Sequence, residues 1–444
     1  MPMTRDISFY DLSTLSEAER GALLTRTQSD LSPFIEKVRP IIEAVRQQGD
    51  RALARYAREL DKAPVEPGAI AAKPDDFERA FADLEPEVIE AIEFAVDGVR
   101  RFHQAQMPEE MWLKEVRPGA FAGEKHTPIP SVACYVPRGK GSFPSVVVMT
   151  AVPAVVAGVP EAIIVTPPGP DGEIDAATLV AARTAGIERV YKCGGAQAVA
   201  AVAFGTETVP KCDKIVGPGS PWVLAAKRLL ADHIDPGLPA GPSESIILAD
   251  ETANPKIAAL DLIIESEHGP DSSAFLVTNS LVVAEEARKA IPDYWADMGE
   301  GRVDFSSTVL GGSKGGIVLA PDFAAAIDFV NDYAPEHLEL LCADPFAHLG
   351  ALRHAGEILI GEHTPVTLGN FVLGPNAVLP TSRAARTASP LGVLDYLKRT
   401  SIGYVTREGY GPLAEQAHRL AVYEGFDGHA NAISGTRVKA RGGG

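Results

Sequence analysis

The chain has 444 residues, 45% of them hydrophobic and 23% charged, which at ordinary domain sizes predicts two or three globular domains with a sizeable core. Its formal net charge of −18 repels phosphate backbones and anionic lipid, so nucleic acid and membrane surfaces are excluded as expected partners. The four cysteines, Cys134, Cys193, Cys212 and Cys342, form no CxxC pair; they predict small buried hydrophobes rather than a disulfide framework.

Residues 1–6 lack the apolar core of a signal peptide, and the longest apolar stretch, 146–159, is broken by Pro153 and Gly158. A cytoplasmic protein is the expectation. Residues 1–110 read as helical: Phe34, Ile35, Val38, Ile41, Ile42 and Val45 follow the three-four spacing of one buried helix face. The same texture continues through 50–60 and 75–103.

Near residue 130 short apolar runs begin to alternate with alanine-rich helical stretches. Strands are expected at 131–136, 162–166, 189–192 and 214–216, with helices at 145–156, 176–185, 196–203 and 221–230 between and after them. A second series follows, with strands at 245–249, 273–278, 308–310 and 316–319 and helices at 255–266 and 281–290. Strand–helix alternation with short connections is the mark of parallel sheets. The fold class is therefore α/β, with two Rossmann-like parallel-sheet domains, a helical N-terminal region and a small helical C-terminal extension. The stretch from about 390 reads as helical and then loose, with the tail 439–444 expected to lack structure. Two strands empty into glycine-rich turns, Cys193-Gly194-Gly195-Ala196-Gln197 and Val216-Gly217-Pro218-Gly219-Ser220. Neither is a GxGxxG fingerprint, and tight strand-to-helix turns need glycine for structural reasons alone.

Three segments concentrate polar residues in apolar surroundings. In Ile264-Glu265-Ser266-Glu267-His268-Gly269, Glu265 and His268 are three apart and share a helix face, where a carboxylate and an imidazole can hold one metal ion. On spacing alone, a histidine capping a helix end before Gly269 is the commoner arrangement. In Tyr333-Ala334-Pro335-Glu336-His337-Leu338, adjacent acid and imidazole can handle protons as a pair; a helix starting at Pro335 and Glu336 is the structural alternative. The run from Leu368 to Thr381 is dense in turn formers and reads either as a surface loop or as pocket lining. The other histidines, His103, His126, His233, His348, His354, His363 and His418, show no partner pattern and are taken as ordinary surface or helix residues.

Taken together, these segments resemble histidinol dehydrogenase. The matching strings include Glu267-His268-Gly269-Pro270-Asp271-Ser272, Ala334-Pro335-Glu336-His337-Leu338-Glu339, Gly374-Pro375-Asn376 and Val378-Leu379-Pro380-Thr381-Ser382. Tyr135-Val136-Pro137, Gly194-Gly195-Ala196-Gln197-Ala198, Ile215-Val216-Gly217-Pro218-Gly219, Ala240-Gly241-Pro242-Ser243-Glu244, Ser389-Pro390-Leu391-Gly392-Val393 and Glu424-Gly425-Phe426-Asp427-Gly428-His429-Ala430 extend them in family order across nearly the whole chain.

The resemblance implies a homodimer with exchanged ends, one zinc per subunit anchoring a small-molecule alcohol, and NAD taking two hydrides in succession. It implies an N-terminal arm over 1–30, a first Rossmann-like domain over 31–134 and 244–391 carrying metal and catalytic residues, a second over 135–243 contacting NAD, and an exchanged extension over 392–444. His337 resembles the base and Glu336 the activator of the water used in the second oxidation. Tyr135, Gln197 and Ser220 match NAD-contacting positions. Ser145, Ser243, His337, Val366, Ala377 and Glu424 match substrate-contacting positions. Glu265, His268, Asn370 and His429 match the metal ligands, His429 reaching across the dimer.

Two departures compensate: Glu265 stands for the family's glutamine ligand and Asn370 for its aspartate, so the charge facing the metal is unchanged and a divalent ion, zinc, is expected. Others do not compensate. Ala377 replaces a histidine and Val366 an acid that help hold a polar substrate, and Ser220 replaces an asparagine in the second glycine turn. An alcohol less polar than, or shaped differently from, histidinol is therefore expected. The competing readings are an authentic histidinol dehydrogenase and a non-catalytic ligand-binding relative; the retained Glu336–His337 pair speaks against the latter.

Overall fold

A computed structural model of the chain describes residues 6–25, 31–138 and 141–440; of 438–440 it describes the backbone. Of the tail expected to be loose, 441–444 lie outside the described residues, whereas Lys439 and Ala440 end a helix, Gly435–Ala440. The chain divides into two units, Met1–Gln106 with Ile129–Tyr396, and Met107–Pro128 with Leu397–Gly444.

The first unit holds two parallel sheets, as the alternating apolar pattern predicts. One has six strands in the order Phe9–Asp11, Gly315–Leu319, Ser273–Thr278, Glu244–Ala249, His337–Leu341, Glu357–Ile360. Its four inner strands are buried almost throughout, as continuous apolar runs between two helical layers must be. The other has four strands in the order Val190–Lys192, Glu161–Thr166, Ser131–Tyr135, Lys214–Val216.

The domain boundaries expected from the resemblance differ from these pairings. Strand Ser131–Tyr135, split at 134/135 in that scheme, pairs throughout with Glu161–Thr166 in the four-stranded sheet. The N-terminal helices Ser32–Gln48 and Asp50–Glu59 bury Val38, Ile41, Val45 and Leu53 against that same sheet's helices, rather than joining the six-stranded one. Three stretches of secondary structure also differ. Phe9–Asp11 is an edge strand within the helical start. Residues 308–310 end a helix, Glu300–Leu310, rather than forming a strand. Leu397–Val405 is a strand within the supposedly helical end.

The second unit is an antiparallel sheet in the order Leu397–Val405, Ala120–Pro128, Met111–Arg117, followed by helices Arg407–Tyr423, Asp427–Ala432 and Gly435–Ala440. Gly119 makes the hairpin turn at φ +73, which glycine reaches without strain. Cys134, Cys193 and Cys212 are buried, Cys342 is half-buried, and all four are free, in line with the sequence reading.

One buried pair in the six-stranded unit is costly. Glu339 lies fully buried mid-strand, opposite Asp261 on helix Pro255–Ser266. Among the described residues neither Glu339 oxygen nor Asp261 Oδ2 finds a hydrogen-bond donor outside the pair. Burial first, and then the charge and hydrogen bond of Asp261, raise Glu339; burial also raises Asp261. A raised carboxyl favours the fold most at low pH and loses that contribution as pH climbs above the ordinary value of 4.5, because the unfolded chain releases the proton first. Glu339→Gln keeps a donor for Asp261 and has no proton to lose. Its melting temperature should gain on the parent's from about pH 5 to about pH 8, by up to about 1.4 kcal/mol of stability per pH unit. Calorimetry showing a constant difference across that range would mean that Glu339 is ionised.

Candidate functional site

A cavity of about 780 Å³ opens in the first unit, in the size range of small-molecule sites. One side is made by loops at the carboxyl ends of Ser131–Tyr135 and Lys214–Val216, through Pro137, Arg138 and Pro218–Pro221. These two strands flank the point where the strand order reverses, the usual ligand crevice of an open parallel sheet. The other side lies at the amino ends of Glu244–Ala249 and His337–Leu341, where Ser243, Glu336 and His337 face in.

The Glu336–His337 pair is placed by a sharp junction, not by the helix start considered above. Helix Phe323–Tyr333 ends at Ala334, which is left-handed at φ 52, and Pro335 then forces an extended path into the strand. Glu336 fills the bend. Its Oε2 accepts the Glu244 backbone N–H at 2.9 Å, and its carbonyl accepts the Glu357 N–H at 3.0 Å. Gly356 is obligatory beside it, since a Cβ there would stand 2.5 Å from the Glu336 carbonyl oxygen.

His337 opens the strand, 3% exposed, directly opposite Glu357 on the neighbouring strand. Its Nδ1 lies 2.6 Å from Glu357 Oε1, while Nε2 lies 3.8 Å from Glu336 Oε2, beyond hydrogen-bond range. Burial disfavours the imidazolium, but the carboxylates of Glu336, Glu265 and Glu357 outweigh it and raise the imidazole. Burial, only partly offset by His337, likewise raises Glu336.

Helix Pro255–Ser266 begins at Asn254, whose side chain caps Lys256 N–H, with Pro255 in the first turn. The helix is buried on most of its surface and carries Glu265 in its last turn, 1% exposed. Asn370, on the short helix Val366–Phe371, donates from Nδ2 to Glu265 Oε1 at 2.7 Å. His268 Nδ1 lies 3.2 Å from Glu265 Oε2 and equally far from the Ile264 carbonyl, so the capping and ligand readings coexist. Burial would raise Glu265, but the imidazoles of His268 and His337 and hydrogen bonds from Asn370 and Ser243 hold its carboxyl below the usual range.

Two of the matched strings also meet here. Gly241 N–H donates to Thr381 Oγ1 at 2.8 Å and Ser382 N–H to Glu244 Oε1 at 2.9 Å, tying the 378–382 stretch to the amino end of the Glu244 strand.

Glu265, His268, Asn370, Glu336, His337, Ser145, Ser243, Ser220 and Ala377 all line the one cavity. Tyr135, Gln197 and Val366 are buried and do not. The Tyr135 hydroxyl accepts the Gly195 N–H at 3.0 Å at the start of helix Gly195–Phe204, and Gln197 Nε2 reaches Asp61 at 3.5 Å. Glu424 and His429 are exposed in the second unit. His363 is exposed, but His103 is a core residue and not a surface one: its Nδ1 donates to the Val99 carbonyl at 2.7 Å, and Asn376 Nδ2 approaches its Nε2 at 3.4 Å. Sequence reasoning missed Glu357, because a single acid at the start of an apolar run looks like a strand end. Only the strand register puts it against His337.

The donor set suits a divalent cation. Carboxylate, amide and imidazole groups come from the end of one buried helix and a short helix touching it, with the Glu265 carboxylate 1% exposed and held below the usual range. Buried negative charge of that kind is what a bound cation relieves. Protein purified without added metal should carry about one zinc per chain, and Glu265→Ala or His268→Ala about a tenth of that or less, by atomic absorption. Parent protein free of metal yet fully active would dismiss the site.

Comparison with known proteins gives a consistent result. The profile of the histidinol dehydrogenase family matches residues 24–437. A "Histidinol dehydrogenase homolog" of Colwellia psychrerythraea is 62% identical over 438 residues, covering 99% of this chain and 98% of the relative. A "Histidinol dehydrogenase" of Synechocystis is 46% identical over 422 residues, covering 95% and 97%. The crystal structure of histidinol dehydrogenase from Elizabethkingia anophelis superposes with a TM-score of 0.92 at 30% identity, covering 98% of this chain and 99% of that one.

Proposed function

The chain belongs to the histidinol dehydrogenase family, NAD-dependent oxidoreductases of CH–OH groups that use zinc, and from that premise we propose that it oxidises a small amino- or hydroxy-alcohol other than histidinol, on to the carboxylate. The observation that carries this reading is the shared cavity: the Glu265–His268–Asn370 donors and the Glu336–His337 proton-handling pair face the same space. Zinc held by these donors would supply the Lewis acidity that makes an alcohol proton easy to remove. NAD bound toward Ser220 and the carboxyl ends of the four-stranded sheet would supply the hydride acceptor.

The protein's own groups do the proton work. His337 takes the hydroxyl proton through Nε2, the ring nitrogen that Glu357 does not engage. Glu336, seated beside His337 on the same cavity, takes a proton from the water that adds before the second oxidation. Ser145 and Ser243 offer hydroxyls to orient the substrate. Ala377, with Phe371, Val372 and Val378, gives the lining apolar side chains where the family resemblance implies a histidine beside the substrate. The relatives at 62% identity carry the word "homolog" in their names, whereas that at 46% does not.

An alcohol panel followed by NADH absorbance should find a substrate turned over far faster than histidinol. Glu336→Gln should then keep the first hydride transfer and slow the second by about 10²-fold or more in single-turnover kinetics. Turnover of histidinol equal to that of a biosynthetic enzyme would return the authentic histidinol dehydrogenase reading. Equal loss of both steps would remove Glu336 from its role.

The reading also assigns His429 and Glu424 to the active site of a second copy of the chain. His268→Ala and His429→Ala variants, each inactive, should recover about a quarter of parental activity when unfolded together and refolded as a mixture, because half the dimers are hybrids with one complete site. No recovery in a mixture shown to contain hybrids would place His429 within its own subunit's site or outside the chemistry.

A further inference from the structure

Glu357 is a buried carboxylate that none of the roles above uses. It opens strand Glu357–Ile360 and stands opposite His337 in the parallel register, so the pleat aims both side chains at the same face. Its Oε1 lies 2.6 Å from His337 Nδ1, with the two side chains 7% and 3% exposed. Among the described residues its Oε2 has no hydrogen-bond partner, which leaves the imidazole as the group that meets its charge. The carboxylate is backed by Gly369, where a Cβ would come within 3.1 and 3.2 Å of its two oxygens. It does not line the cavity, so it reaches substrate through His337 alone.

An imidazole has one proton to place on two nitrogens when neutral, and an acid at Nδ1 decides where it goes. Glu336 cannot do this, being 3.8 Å from Nε2 and outside hydrogen-bond range of it. We propose that Glu357 is a positioning residue: it accepts the Nδ1–H of His337, fixes that tautomer and ring orientation, and leaves Nε2 as the proton acceptor on the cavity side. In the oxidation the alcohol O–H bond breaks and its proton passes to Nε2, while the hydride leaves carbon for NAD. His337 becomes imidazolium with both nitrogens protonated, and its Nδ1–H stays hydrogen-bonded to Glu357. The kinetic half of this inference rests on the dehydrogenase reading; the tautomer half does not.

Two measurements separate those halves. In the full-length protein labelled with ¹⁵N-histidine, a far-downfield Nδ1 proton should be present, lost in His337→Asn and moved strongly upfield in Glu357→Gln. A resonance unmoved in Glu357→Gln, or absent from the parent, overturns the proposal whatever the enzyme's substrate. With an alcohol the parent turns over, Glu357→Gln should lower kcat roughly 100-fold with KM changed less than about threefold, and Glu357→Asp should recover part of the loss. Gly369→Ala keeps the carboxylate and displaces it, so it should lower kcat without moving metal content. Parental kcat in both Glu357→Gln and Gly369→Ala, or a loss confined to KM, defeats the positioning role. If the parent reduces NAD with no alcohol, the dehydrogenase reading falls, and the resonance still decides the tautomer.

Discussion

A buried imidazole surrounded by acids is the constraint to which the rest of the site answers. His337 sits almost wholly out of water, with Glu336 and Glu357 on either side and Glu265 facing the same cavity. Burial alone would keep the ring neutral and the acids protonated. Their mutual attraction offsets part of that cost: the neighbouring carboxylates raise His337, and the imidazoles of His268 and His337 hold Glu265 below the usual range. Such a cluster is stable only when its geometry is held firmly, and it stands ready both for a cation and for a proton in transit.

Firm geometry comes from the backbone. Glu336 and His337 are neighbours in sequence, yet one closes a bend and the other begins a strand. Ala334 in the left-handed region and Pro335 after it produce that change of direction within two residues. Gly356 and Gly369 clear the space on the other side, the first for the Glu336 carbonyl and the second for the Glu357 carboxylate. Left-handed alanine is strained, and strain of this kind persists where the surroundings fix it, here between a buried helix end and an inner strand of a sheet.

Much of the fold was legible because buried parallel strands are continuous apolar runs and their helices are alanine-rich. The runs at 131–136, 245–249 and 273–278 became strands with little change of boundary. Residues 308–310 were misread because Thr308 and Val309 favour strands locally, while packing of Val309 and Leu310 under the six-stranded sheet holds them helical. Leu397–Val405 was missed because it is exposed on both faces for most of its length and lacks the alternation that marks a half-buried strand. Site residues picked out by the resemblance, Glu265, His268, Glu336, His337 and Asn370, were legible and do share one cavity. Tyr135, Gln197 and Val366 were picked out by the same resemblance, and they are buried away from its wall. Glu357 and Gly369 were invisible because their importance lies in register and clearance, which one-dimensional spacing does not encode.

The cavity takes its two sides from opposite ends of two different sheets: carboxyl-end loops of the four-stranded one, amino-end residues of the six-stranded one. The stretch 372–378, which carries Val372, Ala377 and Val378 of the cavity lining, belongs to no strand and tolerates exchange without disturbing hydrogen-bonded pairing. Glu336 and His337 are fixed by the pairing itself. Evolution, or an engineer, can therefore revise what this chamber grips while the paired residues keep its chemistry, so relatives should diverge in recognition long before they diverge in reaction.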